Sequence, residues 1–240
     1  MIAEIFTTEQ SQQIVDTILL GYNSYIAERQ QKANEMAVSD GYAWTRSNHI
    51  DDAFAKAKLN FIESYERDRA GESWGYLKFT GQSSELGKVL LMIKNAYRLK
   101  QTFNPDKTSS QYLVDLSEIS SSFVKKMKND TTITPEGGIQ LDIFSTVSLS
   151  DLEGVKSDFD EFFVITYETD ASKQVVAISI VVLDRIEKQI ILVQNLSAYI
   201  HTSGITPVVL ESNEIFVEPE LVEPQTFPYG IPAEKQEEAN

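Results

Sequence analysis

The chain has 240 residues, 42% of them hydrophobic and 24% charged, which suits one large globular domain or two small ones. It contains no cysteine, which excludes disulfides, thiolate metal sites and cysteine nucleophiles and fits a reducing compartment. The formal net charge of −15 argues against nucleic acid as a partner of the whole chain. Since the N-terminus also lacks the basic segment of a secretory signal, we expect a cytoplasmic protein.

The first two elements in chain order are predicted helices. Thr7 and Gln10 have capping-box spacing, and an apolar stripe at helical spacing follows, so a helix is predicted from about Thr8 into the mid-thirties. A second helix is predicted after Asn48 as its N-cap. It continues to Arg69, because basic residues favour the last turn of a helix.

The middle of the chain mixes helical and strand patterns. The segment "WGYLKFT" predicts a short strand, and a third helix is predicted from near Ser83 to about Thr102. Beyond Pro105, the segment "QYLVDL" predicts a strand, and "SSSFVKKMKN" predicts a short basic helix. The segment "IQLDIFSTV" predicts a further strand, and Ser150 and Glu153 have the capping-box spacing that begins a short acidic helix.

The C-terminal region is predicted to be rich in strands. Polar turns separate three apolar segments, which predict an antiparallel meander: "EFFVITYETD", "QVVAISIVVLD" and "KQIILVQNL". The segment "TPVVLE" predicts one more strand. We therefore predict an α+β fold, with N-terminal helices packed on a mainly antiparallel C-terminal β-sheet. The predicted single domain covers residues 1–210, with a helical region at residues 1–104 and a β-rich region at residues 105–210, and residues 211–240 form an acidic, proline-containing, flexible tail.

The segment Gly71-Glu72-Ser73-Trp74-Gly75 has the spacing of the nucleophile turn of serine hydrolases. Ser73, then Asp170 or Asp184, and then His201 also follow the chain order of a Ser-Asp-His triad. The predicted context is reversed, however, because a helix precedes Ser73 and a strand follows it. A serine hydrolase is therefore a remote alternative.

The segment "GQSSELGKV" resembles a phosphate-binding loop only loosely. Such a loop has four residues between its glycines and a hydroxyl side chain after its lysine. Here five residues separate Gly81 from Gly87, and Val89 replaces the hydroxyl. We expect Gly87 and Lys88 to lie inside a helix that Ser83 or Ser84 caps.

Side chains that can take part in catalysis are most concentrated in the segment "WTRSNHIDDAF", where Arg46, His49 and Asp51 are candidate catalytic residues. The N-terminus of a helix attracts anions, and Arg46 and His49 would add positive charge there. The alternative interpretation is a well-capped helix with Trp44 packed in front of it.

Acids at predicted strand ends supply further catalytic candidates. These are Asp142, Glu168 and Asp170, and Asp115 and Asp184 lie at similar positions. Acids brought together in this way bind divalent metals, so a metal-dependent enzyme acting on nucleic acid is our alternative function. The acid-x-Lys triplet of many metal-dependent nucleases is absent, and the two histidines lack zinc-site spacing. We therefore expect no metal site and no cofactor.

The charges are unevenly distributed along the chain. Residues 85–128 hold eight basic and four acidic residues, whereas residues 211–240 hold eight acidic residues and one lysine. The candidate partner- or polyanion-binding set is Arg98, Lys100, Lys107, Lys125, Lys126 and Lys128. We expect a binding or regulatory protein that uses this central basic surface, the acidic tail or both. The expected partner is a protein or a polyanion such as nucleic acid, and not a membrane.

Overall fold

The structure is a computed structural model that describes residues 5–70, 74–104, 110–131 and 158–208. Helix α1 (Thr8–Glu35) is followed by a 3-10 helix (Asp40–Thr45) and helix α2 (Arg46–Lys56). The strands β1 (Ile62–Ala70), β2 (Trp74–Ser83) and β3 (Gly87–Asn95) come next. Three further helices follow: α3 (Ala96–Thr102), α4 (Gln111–Ser117) and α5 (Ser121–Thr131). The last elements are β4 (Glu161–Thr169), β5 (Val175–Asp184), β6 (Gln189–Asn195) and helix α6 (Ala198–Thr202).

The described strands form one six-stranded sheet in the order β1-β2-β3-β4-β5-β6. Every pair of neighbours is antiparallel except β3 and β4, which are parallel and pair from Val89 with Glu161 to Asn95 with Tyr167. A parallel pair needs a long crossover connection, and helices α3, α4 and α5 lie in it. The chain therefore has an α+β fold in which helices pack on a mixed, mostly antiparallel sheet.

Helices cover both faces of the sheet, and the alternation of side chains along β3 shows how. Val89, Leu91 and Ile93 point to one face, where they belong to the same buried cluster as the apolar stripe of α1 and as Ile50 and Phe54 of α2. Leu90 and Met92 point to the other face and join a second cluster with α3 and α4. Because both faces are buried, β3 is an uninterrupted apolar run.

Helices α1 and α2 approach each other most closely at Gly21. A Cβ atom at this position would lie 2.7 Å from the Cα atom of Ile50, which is closer than van der Waals contact allows. The glycine therefore sets the distance between the two helices and, through α2, the position of the site described below.

Two predicted helices are present but were predicted too long. Helix α2 begins at Arg46 and ends at Lys56, and the charged segment 62–70 is the edge strand β1, as edge strands often carry charge. The helix predicted from Ser83 to Thr102 is instead β3 followed by the short helix α3, because a short apolar run fits either structure. Residues 62–95, which were expected to be mainly helical, thus supply half of the described strands.

The segment "QYLVDL" was also predicted wrongly, since residues 111–117 form helix α4. The capping box of Thr7 and Gln10, the strand within "WGYLKFT", helix α5 and the antiparallel meander of β4, β5 and β6 are all confirmed. The predictions for "IQLDIFSTV", for Ser150 to Glu153 and for the tail 211–240 lie outside the described residues. The described portion of "TPVVLE", residues 206–208, is irregular.

Candidate functional site

Strands β2 and β3 separate from each other at one end of the sheet. Strand β2 pairs with β1 as far as Trp74, but its pairing with β3 runs only from Ser83 to Phe79. Strand β3 continues along β4 to Asn95. Beyond Phe79, the backbone groups of β2 that would face β3 therefore need other partners.

Asp51 of helix α2 supplies one such partner. The N–H group of Leu77 in β2 donates to Oδ2 of Asp51 at 3.4 Å. The Asp51 residue is only 9% exposed, although it carries a carboxyl group. Because buried backbone groups are nearly always paired, Asp51 stands in for the strand that β2 has left.

A cleft of about 540 Å³ lies at this separation, between α2 and the β1–β2 hairpin. Helix α2 and the residues before it form one wall, and the two strands form the other. The lining residues are Trp44, Thr45, Asn48, Asp51, Asp52, Ala55, Tyr65, Arg67, Gly75, Tyr76 and Leu77. The size and the mixture of aromatic, apolar and charged groups are typical of small-ligand sites.

Burial dominates the electrostatics of Asp51. It raises the pKa of the Asp51 carboxyl from 3.8 to about 7, against the opposing effects of the Lys94 ammonium and the Leu77 N–H group. Burial likewise lowers the pKa of Lys94, and Asp51 partly counteracts it. Asp51 therefore changes its charge near neutral pH, as groups in functional sites often do.

Lys94 lies on the opposite face of the sheet from the cleft. Its ammonium group is 5.1 Å from the centre of the Tyr76 ring and 5.5 Å from that of Tyr112, and these rings stack at 5.0 Å. Aromatic faces stabilise a cation that has lost its water. The Tyr76 hydroxyl donates to Asp68 at 3.2 Å, which fixes the ring in place.

Arg67 lies on the strand wall of the cleft, next to Gly75. A Cβ atom at Gly75 would lie 3.2 Å from Nε of Arg67, so the glycine leaves the space that the guanidinium occupies. Arg67 is exposed, and no hydrogen bond or ion pair of its guanidinium is found among the described residues. Gly75, the second glycine of the hydrolase-like motif, thus has a structural role in the wall of the cleft.

The structure separates Asp51 from the two other candidates on α2. His49 faces α1, where its Nε2 lies 2.6 Å from Oε2 of Glu28 and its Nδ1 lies 3.0 Å from the Ser24 hydroxyl. A histidine between a serine and a carboxylate also occurs in hydrolases. Here, however, Ser24 lies within α1, whose backbone N–H groups are bonded inside the helix and offer no oxyanion hole. Arg46 is buried and acts electrostatically on Tyr167, which lies in β4.

The candidate metal-binding acids that the structure describes do not come together. Glu168 is exposed and lies 3.5 Å from Lys100, and Asp170 accepts from the Gln174 N–H group at 2.9 Å in the β4–β5 turn. Asp184 lies at the other end of β5, where it binds Lys128 and accepts from the Ile186 N–H group at 2.8 Å. Asp115 is exposed on α4, and Asp142 lies outside the described residues. In the described segments, no group of three His, Asp or Glu side chains has metal-binding geometry.

The basic candidates lie in separate places. Lys100 is near the C-terminal end of β4, whereas Lys128 pairs with Asp184 at the end of β5 and with Glu187 just after it, at the opposite end of these antiparallel strands. Arg98 stacks on the Trp44 ring at 5.0 Å, and Lys125 and Lys126 are exposed on α5. Lys107 lies outside the described residues. The described members of this set therefore do not form one continuous surface.

Neither catalytic motif lies between the secondary-structure elements that its chemistry needs. Ser73 lies outside the described residues. The strands β1 and β2 flank it, whereas the nucleophile turn of a hydrolase lies between a strand and a helix. His201 is exposed on α6. The segment "GQSSELGKV" is a β-hairpin, so Gly87 is not in a helix but ends the turn with a positive φ of 76°.

No protein-family model, curated protein or solved structure matches this chain. None of the helices in the described residues is long and apolar enough to cross a membrane.

Sequence reasoning identified Asp51 but missed Arg67, Tyr76 and Lys94. In the sequence, Lys94 appears only as a lysine at the end of the apolar run 89–93, and Arg67 appears only as an arginine in a segment predicted to be helical.

Proposed function

We propose that this protein is a cytoplasmic binding protein and that its ligand site is the cleft between α2 and the β1–β2 hairpin. The supporting observation is the Asp51 carboxyl, which is buried beside the cleft. Among the described residues it has one long hydrogen bond and no ion pair. Burying such a group opposes folding, and sites that keep one are candidates for function.

The lining of the cleft favours binding over catalysis. Within the described segments of the chain, the lining contains no histidine, cysteine or serine, and His49 points away towards α1. Among the described lining residues, the cleft therefore lacks the Ser-His and Cys-His pairs that many covalent catalysts use. The separated basic residues and acids give less support to a basic binding surface or a metal-dependent enzyme.

Ligand binding to the cleft can be tested by NMR with a chemically diverse set of small molecules. We expect bound molecules to shift the amide signals of residues 45–55 and 75–77. Asn48→Trp should block binding, because Asn48 is an exposed lining residue and the larger side chain would fill the cleft. Asn34→Trp is the matched control, since Asn34 is exposed on α1 and does not line the cleft.

The outcome against the proposal is equally specific. If the folded protein shows no cleft shifts with any molecule, or if Asn48→Trp and Asn34→Trp bind alike, the cleft is not the ligand site. The absence of cysteine from the sequence supports the proposed cytoplasmic location. Fractionation of cells that produce the full chain tests it, and recovery outside the cytoplasm would contradict it.

A further inference from the structure

Two opposite charges that make no ion pair within the described part of the chain line the cleft. Asp51 and Arg67 make no ion pair among the described residues, with each other or with any other side chain. Their sequence neighbours behave differently, since Asp52 binds Lys56 at 2.7 Å and Asp68 binds Lys78 at 3.0 Å. Among the described residues, Asp51 and Arg67 therefore leave one carboxylate and one guanidinium for a ligand.

These two groups differ in depth. Asp51 is buried on the α2 wall, whereas Arg67 is exposed on the strand wall. A ligand that satisfies both must carry a cationic group at its inner end and an anionic group towards solvent. A primary ammonium suits a single carboxylate, and a carboxylate matches the planar fork of a guanidinium.

The rest of the lining is suited to an apolar group. Ala55 on α2 and Leu77 on β2 are partly buried and pack against the main core, and the ring of Tyr65 is 53% exposed beside them. A cleft of about 540 Å³ has room for a molecule of amino-acid size.

We propose that the cleft binds a free amino acid with an apolar side chain, whose ammonium group is held by Asp51 and whose carboxylate is held by Arg67. This inference rests on the proposed function and names the ligand class of the same site. It differs from a general small-molecule site because it requires both charged groups on one ligand.

The test uses two sets of three compounds, each set sharing one apolar group. The first is phenylalanine, 2-phenylethylamine and 3-phenylpropionate, and the second is leucine, isopentylamine and 4-methylpentanoate. Affinities are measured by calorimetry and NMR at pH 8, where Asp51 is ionised. We expect the better amino acid to bind roughly tenfold more tightly than its amine or its acid, since each omits one charge-assisted contact.

Substitutions separate the two contacts. Asp51→Asn should weaken binding of the amino acid roughly tenfold and leave the affinity for the acid unchanged. Arg67→Gln should weaken binding of the amino acid to a similar extent and leave the affinity for the amine unchanged. Arg67→Lys should restore some of the loss, because it keeps the charge without the fork. Arg69→Gln is the matched control, as Arg69 is exposed on the same strand and does not line the cleft.

Two results would overturn the inference: equal affinities within both sets, or an amino-acid affinity that Arg67→Gln leaves unchanged in the folded protein. If other small molecules still shift the cleft amides and Asn48→Trp still blocks them, only the ligand class is wrong. If nothing shifts these amides, the proposed function fails as well.

Discussion

Asp51 and Lys94 approach neighbouring residues of β2 from opposite faces of the sheet. Asp51 accepts from the Leu77 N–H group on the α2 side, and the Lys94 ammonium lies over the Tyr76 ring on the α4 side. Each group moves the pKa of the other towards its ordinary value, but burial outweighs this effect for both. The separation of β2 from β3 thus brings two ionisable groups near each other inside the fold.

The first prediction concerns the pH dependence of stability. The Asp51 carboxyl has a pKa of about 7 in the folded chain and an ordinary value of 3.8. Because the folded state holds the proton more tightly, this contribution to stability is full below about pH 4 and is lost as the pH rises through about 7. We expect the free energy of unfolding to fall between pH 4 and pH 8 by roughly 3 kcal/mol more in the wild type than in Asp51→Asn.

Urea unfolding at several pH values measures this difference. Asp52→Asn is the control, since Asp52 is the exposed neighbour of Asp51 on the same helix. Parallel pH profiles for the wild type and Asp51→Asn would show that Asp51 does not titrate as we describe.

The second prediction concerns the influence of Lys94 on Asp51. The Lys94 ammonium lowers the pKa of Asp51, so Lys94→Met should raise the pKa of Asp51 further. Carbon-13 NMR of the side-chain carboxyls would follow the titration. Lys78→Met is the control, because Lys78 lowers the pKa of Asp68 and should affect that carboxyl instead. An unchanged Asp51 titration in Lys94→Met would mean that the two groups are not coupled.

The third prediction concerns Ser120, which stands in for a strand partner as Asp51 does. Its fully buried hydroxyl accepts from the Phe162 N–H group at 2.6 Å and donates to the Phe162 carbonyl at 2.9 Å. Ser120→Ala leaves both groups buried without a partner, so we expect a loss of about 2–4 kcal/mol in the free energy of unfolding. Ser122→Ala, at an exposed site on α5, should change stability by less than about 0.5 kcal/mol. Similar values for the two variants would contradict this role.

The fourth prediction concerns the contact between α1 and α2. A methyl group at Gly21 would overlap the backbone of Ile50, so Gly21→Ala should force the helices apart and destabilise the fold by about 1–3 kcal/mol. Gly41→Ala is the control, because nothing lies within 4 Å of a Cβ atom there. Thermal unfolding of both variants checks the prediction, and a stable Gly21→Ala would show that the helices adjust freely.

The sequence predicts the fold class because the longest patterns are the clearest. The stripe of α1 and the three C-terminal strands repeat their period over many residues, so each has one interpretation. The apolar run 89–93 is too short to distinguish a helix from a strand by its periodicity. Its structure depends on pairing with β4, which lies far along the chain. Charged β1 lacks the regular apolar alternation of a half-buried strand, so local propensity favoured a helix there.

The candidate site was only partly predictable. Asp51 is visible as an acid near a helix start, but its burial depends on where β2 leaves β3. Arg67 and Lys94 come from strands that sequence patterns placed in helices, so their proximity to Asp51 could not be inferred. Register and tertiary contacts, rather than local pattern, create this site.

The parallel pairing of β3 with β4 has a consequence for the kinetics of folding. Each meander, β1-β2-β3 and β4-β5-β6, pairs strands that are close in sequence, whereas β3 and β4 meet across the long connection from residue 96 to residue 160. Local pairs close faster than distant ones, so we expect the two meanders to form first and their joining to limit the folding rate. Substitutions that weaken either meander should then mainly slow refolding, because the contacts of the meander are already formed when the two halves join.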